Sequence, residues 1–210
     1  MPQSPPGGQI PPGKLRVVVT YLEMNTAPKE LPGPPPVAGL ILRRIQNPGV
    51  AGYRFLYNGV GEHWLWHERR SITDAALAAI LDDPGTELLV LVANGRIAGF
   101  AELDRRPDPN VKLAYFGLLP RYLGHGLGPW LLAHAIYHAW SEPPPRRLLV
   151  NTTNFDHPAA LKLYHRAGFF AVKRVIRDIG DPRLMGLLPL TAAPHVELAT
   201  FYTNGRLMTR

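Results

Sequence analysis

The sequence predicts a mixed α/β fold in which a central, mostly antiparallel twisted sheet is flanked by helices. Two apolar runs, residues 87–93 and 96–103, are joined by Asn94-Gly95, the dipeptide most typical of a two-residue hairpin turn. A third apolar run, residues 111–119, ends before a glycine-rich turn, and the segment after that turn has the apolar spacing of a helix. These patterns indicate strands that pair with their sequence neighbours and helices that cover them.

The other elements are predicted in order along the chain. Residues 37–45 predict a strand, and residues 49–68 and 73–81 predict two helices, the second with Ser71 or Thr73 as its N-cap. The later predicted elements are a helix that begins near Pro129, a strand at 147–150, a helix capped by Asp156 and closed by Gly168, and a strand at 169–179.

The chain length of 210 residues fits one well-packed domain. Ten of the 23 prolines fall within residues 1–36, which predicts an extended or flexible N-terminal arm. Residues 14–24 interrupt this proline-rich region with a strand-like composition. We therefore expect an arm at 1–36, one main domain at 37–180 and a C-terminal extension at 181–210 whose structure the sequence leaves open.

The composition excludes several kinds of chemistry. The chain has no cysteine, which excludes disulfides, thiolate metal sites and a cysteine nucleophile. The first residues lack the basic start and apolar run of a secretory signal, and no apolar stretch has the length of a membrane span. A cytoplasmic protein without a membrane partner is the expectation.

The positive charge is concentrated in one part of the chain. The net charge is +7, and residues 121–177 carry eight basic side chains against two acidic ones. A nucleic-acid surface would explain such a patch, but the segment has no nucleic-acid-binding motif and no aromatic residues interleaved with the basic ones. A small ligand with several phosphates explains the charge equally well, so a nucleic-acid partner is not favoured.

The glycine-rich turn Gly124-His125-Gly126-Leu127-Gly128 has the properties of an anion site. The backbone amides at a helix start lack partners within the helix, and the helix dipole adds partial positive charge there. A phosphate-binding loop of the Walker type requires Lys and Ser or Thr after the last glycine, and here Pro129-Trp130 follow. A dinucleotide fingerprint requires GxGxxG after the first strand, and this turn is GxGxG after the middle of the sheet.

Two segments together resemble the GNAT superfamily of acetyl-CoA-dependent N-acetyltransferases. Residues 115–136 (YFGLLPRYLGHGLGPWLLAHAI) resemble its coenzyme A loop and the following helix, and residues 154–169 (NFDHPAALKLYHRAGF) resemble its helix with a tyrosine that closes at Gly-Phe. The resemblance covers residues 37–180. It implies a GNAT-like fold, acetyl-CoA as co-substrate without a metal, and direct transfer of the acetyl group to an amine.

The resemblance also implies roles for individual residues. Main-chain amides of the turn would bind the pyrophosphate, the Leu118 amide would stabilise the oxyanion, and Tyr164 would donate a proton to the departing thiolate. Leu123 stands where the family usually has Arg or Gln, and His157 stands where it commonly has Asn, so Asn154 is the nearest candidate for that coenzyme contact. The predicted coenzyme-binding residues are Leu118, Leu123, Gly124, His125, Gly126, Leu127, Gly128 and Asn154.

The acceptor side is less determined. Glu102 is the candidate general base for deprotonating the amine, with pairing to Arg105 or Arg106 as its alternative role and Tyr115 as an alternative relay. We interpret the aromatic residues between Tyr53 and Trp66 as core residues rather than as the lining of an amine-binding pocket. We interpret the histidine pairs 63/67 and 134/138 as packed or surface residues rather than as metal ligands.

These observations leave two further functions open. The first is a non-catalytic acyl-CoA-binding or regulatory domain on the same fold, because residues 111–119 contain no obvious base. The second is a nucleic-acid-associated protein that uses the basic segment. For the enzyme, the acceptor would be a small-molecule or peptide amine, and a homodimer is compatible with the sequence.

Overall fold

The computed structural model describes residues 8–141, 143–203 and 206–208. Four α-helices occur in this part of the chain: α1 (Gly49–Gly61), α2 (Asp74–Leu81), α3 (Leu127–Trp140) and α4 (Ala160–Arg166). The strands are β1 (Lys14–Met24), β2 (Leu40–Ile45), β3 (Thr86–Ala93), β4 (Arg96–Asp104), β5 (Asn110–Leu118), β6 (Arg147–Thr153), β7 (Phe170–Gly180), β8 (Phe201–Thr203) and β9 (Arg206–Met208).

Seven strands form one sheet in the order β2-β3-β4-β5-β6-β1-β7, and β8 and β9 form a separate hairpin. All neighbours in the large sheet are antiparallel except β5 and β6, which run parallel. The predicted mixed α/β fold with a mostly antiparallel sheet flanked by helices is confirmed. None of the helices in the described segments is long and apolar enough to cross a membrane.

The predicted hairpin and N-cap are confirmed. Asn94 and Gly95 both have positive φ (49° and 76°), as a tight turn between β3 and β4 requires. The Thr73 hydroxyl accepts a hydrogen bond from the Ala76 amide at 3.2 Å, so Thr73 rather than Ser71 caps α2.

The helices cover the two faces of the sheet. On one face α3 and α4 pack against the sheet through a cluster that includes Leu131, Leu148 and Tyr164. On the other face α1 and α2 pack through a cluster that includes Tyr53 and Leu77. The burial of these apolar side chains is the main stabilising contribution to the fold.

Strand β1 lies inside the sheet, between β6 and β7. Its sequence KLRVVVTYLEM is rich in β-branched residues, and both of its edges are paired along most of its length. The sheet therefore includes a strand that precedes the domain boundary expected at residue 37. Residues 181–199 also pack on this strand, because Leu188 and Ala193 share a buried cluster with Leu15 and Val17.

Two predicted helix limits are wrong. The first helix ends at Gly61 and continues as a 3-10 turn at Glu62–Trp64, after which Leu65 takes a left-handed conformation with φ 57°. The last helix begins at Ala160, and no side chain of the described residues caps its N-terminus. The Asp156 carboxylate instead accepts hydrogen bonds from Thr152, Thr153 and Trp66, all of which lie outside that helix.

Candidate active site

The cavity at the centre of the molecule is formed by the divergence of β5 and β6. These parallel strands pair only between Asn110–Lys112 and Arg147–Leu149 and then separate. Parallel strands that separate leave unpaired backbone groups on their facing edges. A cavity of about 840 Å³ opens between them and is lined by side chains and backbone of both strands, of the glycine-rich turn and of α4.

The glycine-rich turn lies at one side of this cavity, at the N-terminus of α3. Gly124 and Gly126 have φ values of +79° and +74°, which L side chains rarely adopt, and an added Cβ would meet no atom within 4 Å at either position. These glycines are therefore required by backbone conformation, and the turn is open toward the cavity. The His125 side chain is exposed, with Nδ1 2.8 Å from the Leu123 carbonyl oxygen, and its imidazole does not line the cavity.

The start of α3 presents free backbone donors. Gly126 occupies the N-cap position, and among the described residues no side chain caps it. The amides of Leu127 and Gly128 consequently have no partner within the helix. Leu123, Gly124, Gly126, Leu127 and Gly128 all line the cavity. Two basic side chains of α4, Lys162 and Arg166, line the same cavity, so the site favours an anion.

The backbone amide of Leu118 points toward the gap between β5 and β6. The next amide, that of Leu119, donates to the Ala98 carbonyl at 2.8 Å, on the β4 side. Successive amides of a strand point in opposite directions, so the Leu118 amide points away from β4. Leu118 lines the cavity, and its amide is thus a donor at the place predicted for oxyanion stabilisation.

Tyr164 of α4 lines the cavity between the two strands. Its ring packs against Phe116 and Phe169 at centroid distances of 6.2 and 5.8 Å, and the residue is only 6% exposed. Burial, with the nearby charge of Asp156, raises the pKa of Tyr164 above its usual range. The hydroxyl is therefore protonated at neutral pH and can act as a proton donor.

The comparison with known protein families agrees with this geometry. Residues 53–169 match the model of the acetyltransferase (GNAT) family. The chain belongs to the GNAT family. The match begins within α1, includes α2 to α4, the glycine-rich turn and Tyr164, and leaves β1, β2, β7 and the C-terminal segment outside.

Two kinds of relatives support this assignment. N-alpha-acetyltransferase 30 of Saccharomyces cerevisiae is 36% identical over an alignment of 110 residues that covers 49% of this chain and 60% of that protein. A GCN5-related N-acetyltransferase from Sphaerobacter thermophilus has a TM-score of 0.55 and 17% identity, over 81% of this chain and 52% of the other. An aminoglycoside N-acetyltransferase in complex with CoA has a TM-score of 0.50 and 22% identity, over 66% of this chain and 92% of the other. The match thus spans less than two thirds of the yeast relative, and the solved structures share the GNAT fold.

Glu102, predicted as the general base, lies outside the cavity. It is fully buried on β4, where one carboxylate oxygen accepts a hydrogen bond from Arg69 at 2.7 Å and the other accepts one from the Tyr53 hydroxyl. Burial alone would lower the pKa of Arg69, but Glu102 raises it above its usual value. The alternative pairing with Arg105 or Arg106 is wrong, because those side chains bind Glu87 and Asp104. Glu102 is therefore placed to hold the α1–α2 connection rather than to reach an acceptor.

Asn154, predicted as a coenzyme contact, binds β1 instead. Its Oδ1 accepts from the Val18 amide at 2.7 Å, its Nδ2 donates to the Arg16 carbonyl at 3.3 Å, and its amide donates to the Val18 carbonyl. It does not line the cavity. Since both polar atoms of its side chain are occupied, Asn154 extends the contact between β6 and β1.

Two carboxylates that were not among the predicted site residues line the cavity: Asp156 and Glu68. Asp156 Oδ2 accepts hydrogen bonds from the Thr152 hydroxyl at 2.8 Å and the Thr153 amide at 2.7 Å. Its Oδ1 accepts a longer bond, 3.3 Å, from Trp66 Nε1. Burial raises the pKa of Asp156, although these hydrogen bonds oppose the increase.

Glu68 and the aromatic rings form the side of the cavity opposite the glycine-rich turn. Glu68 is exposed and accepts a hydrogen bond from the Tyr57 hydroxyl at 3.1 Å. Trp66 and Tyr115 pack with ring centroids 5.2 Å apart, and both line the cavity with Trp64. The aromatic stretch thus has two roles, since Tyr53 and Tyr57 are buried core residues whereas the two tryptophans face the cavity.

The histidine pairs do not form a metal centre. His63 and His67 flank the left-handed Leu65 and so do not share one helix. His134 and His138 share α3, and burial lowers the pKa of both imidazoles. No group of three or more His, Asp or Glu residues in the described segments is arranged to hold a metal ion.

Proposed function

We propose that this protein is an acetyl-CoA-dependent N-acetyltransferase that transfers the acetyl group directly to a primary amine. The observation that carries the proposal is a single cavity that joins the glycine-rich turn, the Leu118 amide, Tyr164 and two carboxylates. The family membership supports acetyl transfer, and the names of the relatives support an amine as acceptor.

The acetyl donor is assigned to the side of the cavity formed by α3 and α4. Its pyrophosphate would accept hydrogen bonds from free amides of the turn such as those of Leu127 and Gly128, and Lys162 and Arg166 would neutralise phosphate charge. The pantetheine and acetyl groups would then lie between the separated strands. The acetyl oxygen would accept a hydrogen bond from the Leu118 amide, which would strengthen as negative charge develops.

We assign the general base to Asp156 rather than Glu102. Asp156 lines the cavity, burial raises its pKa and so makes its carboxylate a stronger base than an exposed one, and its Oδ1 has only one long hydrogen bond. The acceptor ammonium gives a proton to Asp156, and the amine nitrogen attacks the acetyl carbon. The new C–N bond forms, the C–S bond breaks, and the thiolate takes a proton from Tyr164. After the attack the positively charged nitrogen loses its second proton to solvent water, which leaves the neutral amide. Asp156 then releases its proton to solvent, and Tyr164 regains one from solvent.

The experiment that tests this function measures acetyl-CoA binding by calorimetry and then free thiol release with amine acceptors. The acceptor panel contains peptides with free N-termini, amino acids, polyamines and aminoglycosides. Acceptor-dependent thiol release with a matching acetylated product supports the enzyme. Tight acetyl-CoA binding without release for any acceptor supports the non-catalytic acyl-CoA-binding domain, and an absence of binding contradicts the site assignment.

A further inference from the structure

Arg177 lies on β7 and lines the cavity. It lies directly opposite Val17 in the β1–β7 pairing, and directly opposed residues of antiparallel strands share a face of the sheet. Val17 packs in one cluster with Leu65 and Phe155, on the side of the Trp64–Glu68 segment. Arg177 therefore lines the part of the cavity away from the glycine-rich turn, where the acceptor would enter.

The Arg177 guanidinium has no partner among the described residues. Its Nε is buried and makes no hydrogen bond, and none of the described carboxylates lies within ion-pair distance of it. A buried guanidinium nitrogen without a partner costs free energy, so such groups are normally paired. A ligand in the cavity would supply the missing acceptor atoms.

The rest of the chain shows how unusual this arrangement is. Each of the other buried or half-buried arginines in the described segments forms an ion pair with a carboxylate. These arginines are Arg16, Arg54, Arg69, Arg70, Arg105, Arg147 and Arg183. Arg166 also lines the cavity, but it is exposed and is accounted for by the phosphates of the proposed acetyl donor. Among the buried and half-buried arginines of the described segments, Arg177 therefore differs from the others in having no carboxylate partner.

Charges of opposite sign divide the acceptor part of the cavity. Glu68 provides negative charge near Tyr115, and Asp156 provides it near Trp66. Lys112 and Arg177 are basic side chains on the strands that line the same cavity. An acceptor with an ammonium group near the carboxylates and an anionic group near Arg177 would match both regions. An acceptor with positive charges alone would match only the first.

We propose that Arg177 binds a carboxylate of the acceptor, so that the acceptor is an amine that also carries a carboxylate. The inference rests on the proposed N-acetyltransferase function and specifies its substrate class. A planar guanidinium binds a carboxylate through two parallel hydrogen bonds, which favours this anion. Two kinds of acceptor carry both an amine and a carboxylate: a peptide with an acidic side chain near its free N-terminus, and a free amino acid.

The test compares matched acceptors in wild-type protein and in Arg177→Gln. One arm uses hexapeptides with Glu at position two, three or four against the same peptides with Gln. The other arm uses a free amino acid against its C-terminal amide. In the wild type the carboxylate-bearing acceptor of one arm should have the lower KM. Arg177→Gln should raise that KM about tenfold or more, the loss expected for a charge-assisted hydrogen-bonded pair, and should change the KM of the matched amide less than twofold.

Arg174→Gln is the matched control, because Arg174 lies on β7 with its side chain exposed and does not line the cavity. It should leave all KM values and the acetyl-CoA Kd unchanged. Arg177→Gln should also leave the acetyl-CoA Kd unchanged. A raised acetyl-CoA Kd with unaltered acceptor preference would place Arg177 at the acetyl donor and overturn the proposal. Equal losses for acidic and amide acceptors would show a purely structural role.

A binding measurement separates failure of this inference from failure of the proposed function. Calorimetric titration of the same acceptor pairs into CoA-bound protein does not require turnover. If no acceptor releases thiol but the wild type binds the carboxylate-bearing member more tightly than Arg177→Gln does, the enzyme proposal fails and the Arg177 assignment stands. If thiol release occurs but neither KM nor binding distinguishes the paired acceptors, the assignment fails and the enzyme proposal stands.

Discussion

Tyr164 combines a buried ring with a hydroxyl group at the cavity, and burial keeps that hydroxyl protonated. Tyr164→Phe should lower kcat about a hundredfold, because the departing thiolate loses its proton donor. The acetyl-CoA Kd should change little, since the ring contacts with Phe116 and Phe169 remain. Tyr137→Phe, the same change at an exposed tyrosine of α3, is the control and should be silent in both assays. Full turnover in Tyr164→Phe would assign this tyrosine to packing alone.

Asp156 gives the clearest expectation for pH dependence. Burial raises its pKa above the usual value of 3.8, and the proposed base acts only when ionised. Turnover should therefore fall as the pH decreases through that raised pKa. Asp156→Asn should lower kcat/KM about a hundredfold and remove this acidic limb of the profile. Asp82→Asn, at an exposed aspartate after α2, should keep the wild-type profile.

An acidic limb that persists in Asp156→Asn would assign the base to another group. Glu68 is then the next carboxylate to test, because it lines the same cavity and its Oε2 is held by the Tyr57 hydroxyl. Glu102 would act only indirectly in either case, through its ion pair with Arg69.

At the scale of elements, the turn between β5 and α3 provides the anion site. Gly126 lies at the N-cap of α3 with φ +74°, a conformation that Asn and Asp tolerate better than other side chains. Gly126→Asp and Gly126→Asn add nearly the same volume and differ in charge. The Asp variant should weaken acetyl-CoA binding about tenfold more than the Asn variant, because its carboxylate lies beside the phosphates.

Two measurements check this comparison. Calorimetry at low and high salt should show that the difference in acetyl-CoA Kd between the two variants decreases as the ionic strength rises, because salt screens exposed charges. Thermal unfolding should show that both variants are folded, since an added Cβ at Gly126 meets no atom within 4 Å and Asn and Asp tolerate positive φ. Equal acetyl-CoA affinities in the two variants would contradict a phosphate group at this turn.

At the scale of the whole molecule, the C-terminal segment is fixed by one buried ion pair. Arg183 and Asp181 are bound through two side-chain hydrogen bonds of 3.0 and 2.8 Å, and Arg183 also donates to the carbonyls of Ala192, Val196 and Glu197. The Ala199 amide donates to Asp181. This pair therefore connects the end of β7 to the segment that covers β1.

Asp181→Asn should lower the free energy of unfolding by about 3 kcal/mol, because it leaves a buried guanidinium without its counter-charge. Chemical denaturation at neutral pH measures this loss. Asp74→Asn removes an exposed ion pair with Arg54 and should cost less than about 1 kcal/mol. A loss at Asp181 no larger than at Asp74 would contradict the structural role of the buried pair.

The pH dependence of the same pair has a definite sign. Burial opposes ionisation of Asp181, but the hydrogen bonds from Arg183 and the Ala199 amide outweigh it and hold the pKa below 3.8. The stabilisation is therefore present above pH 3.8 and is lost as the pH falls through the lower pKa of the folded state. The stability difference between wild type and Asp181→Asn should shrink over that acidic range.

The sequence by itself determined the features that depend on short-range chemistry. The Asn94-Gly95 hairpin follows from backbone preferences of two adjacent residues, and the Thr73 cap follows from one hydroxyl near three amides. The glycine-rich turn was predicted because positive φ and free amides at a helix start are local properties. Tyr164 was predicted as a site residue from the resemblance of its helix to the GNAT family.

The tertiary structure alone decided which charged and polar groups reach the cavity. Glu102 is buried because Arg69, 33 residues away, pairs with it, and Asn154 is occupied because β1 inserts beside β6 from 136 residues away. Asp156 lines the cavity and accepts a hydrogen bond from Trp66, 90 residues away, although its position in the sequence is typical of a helix cap. The absence of a partner for the Arg177 guanidinium among the described residues likewise depends on what surrounds it in the sheet. Local patterns contain no information on such partners, because burial and pairing arise only when distant segments pack together.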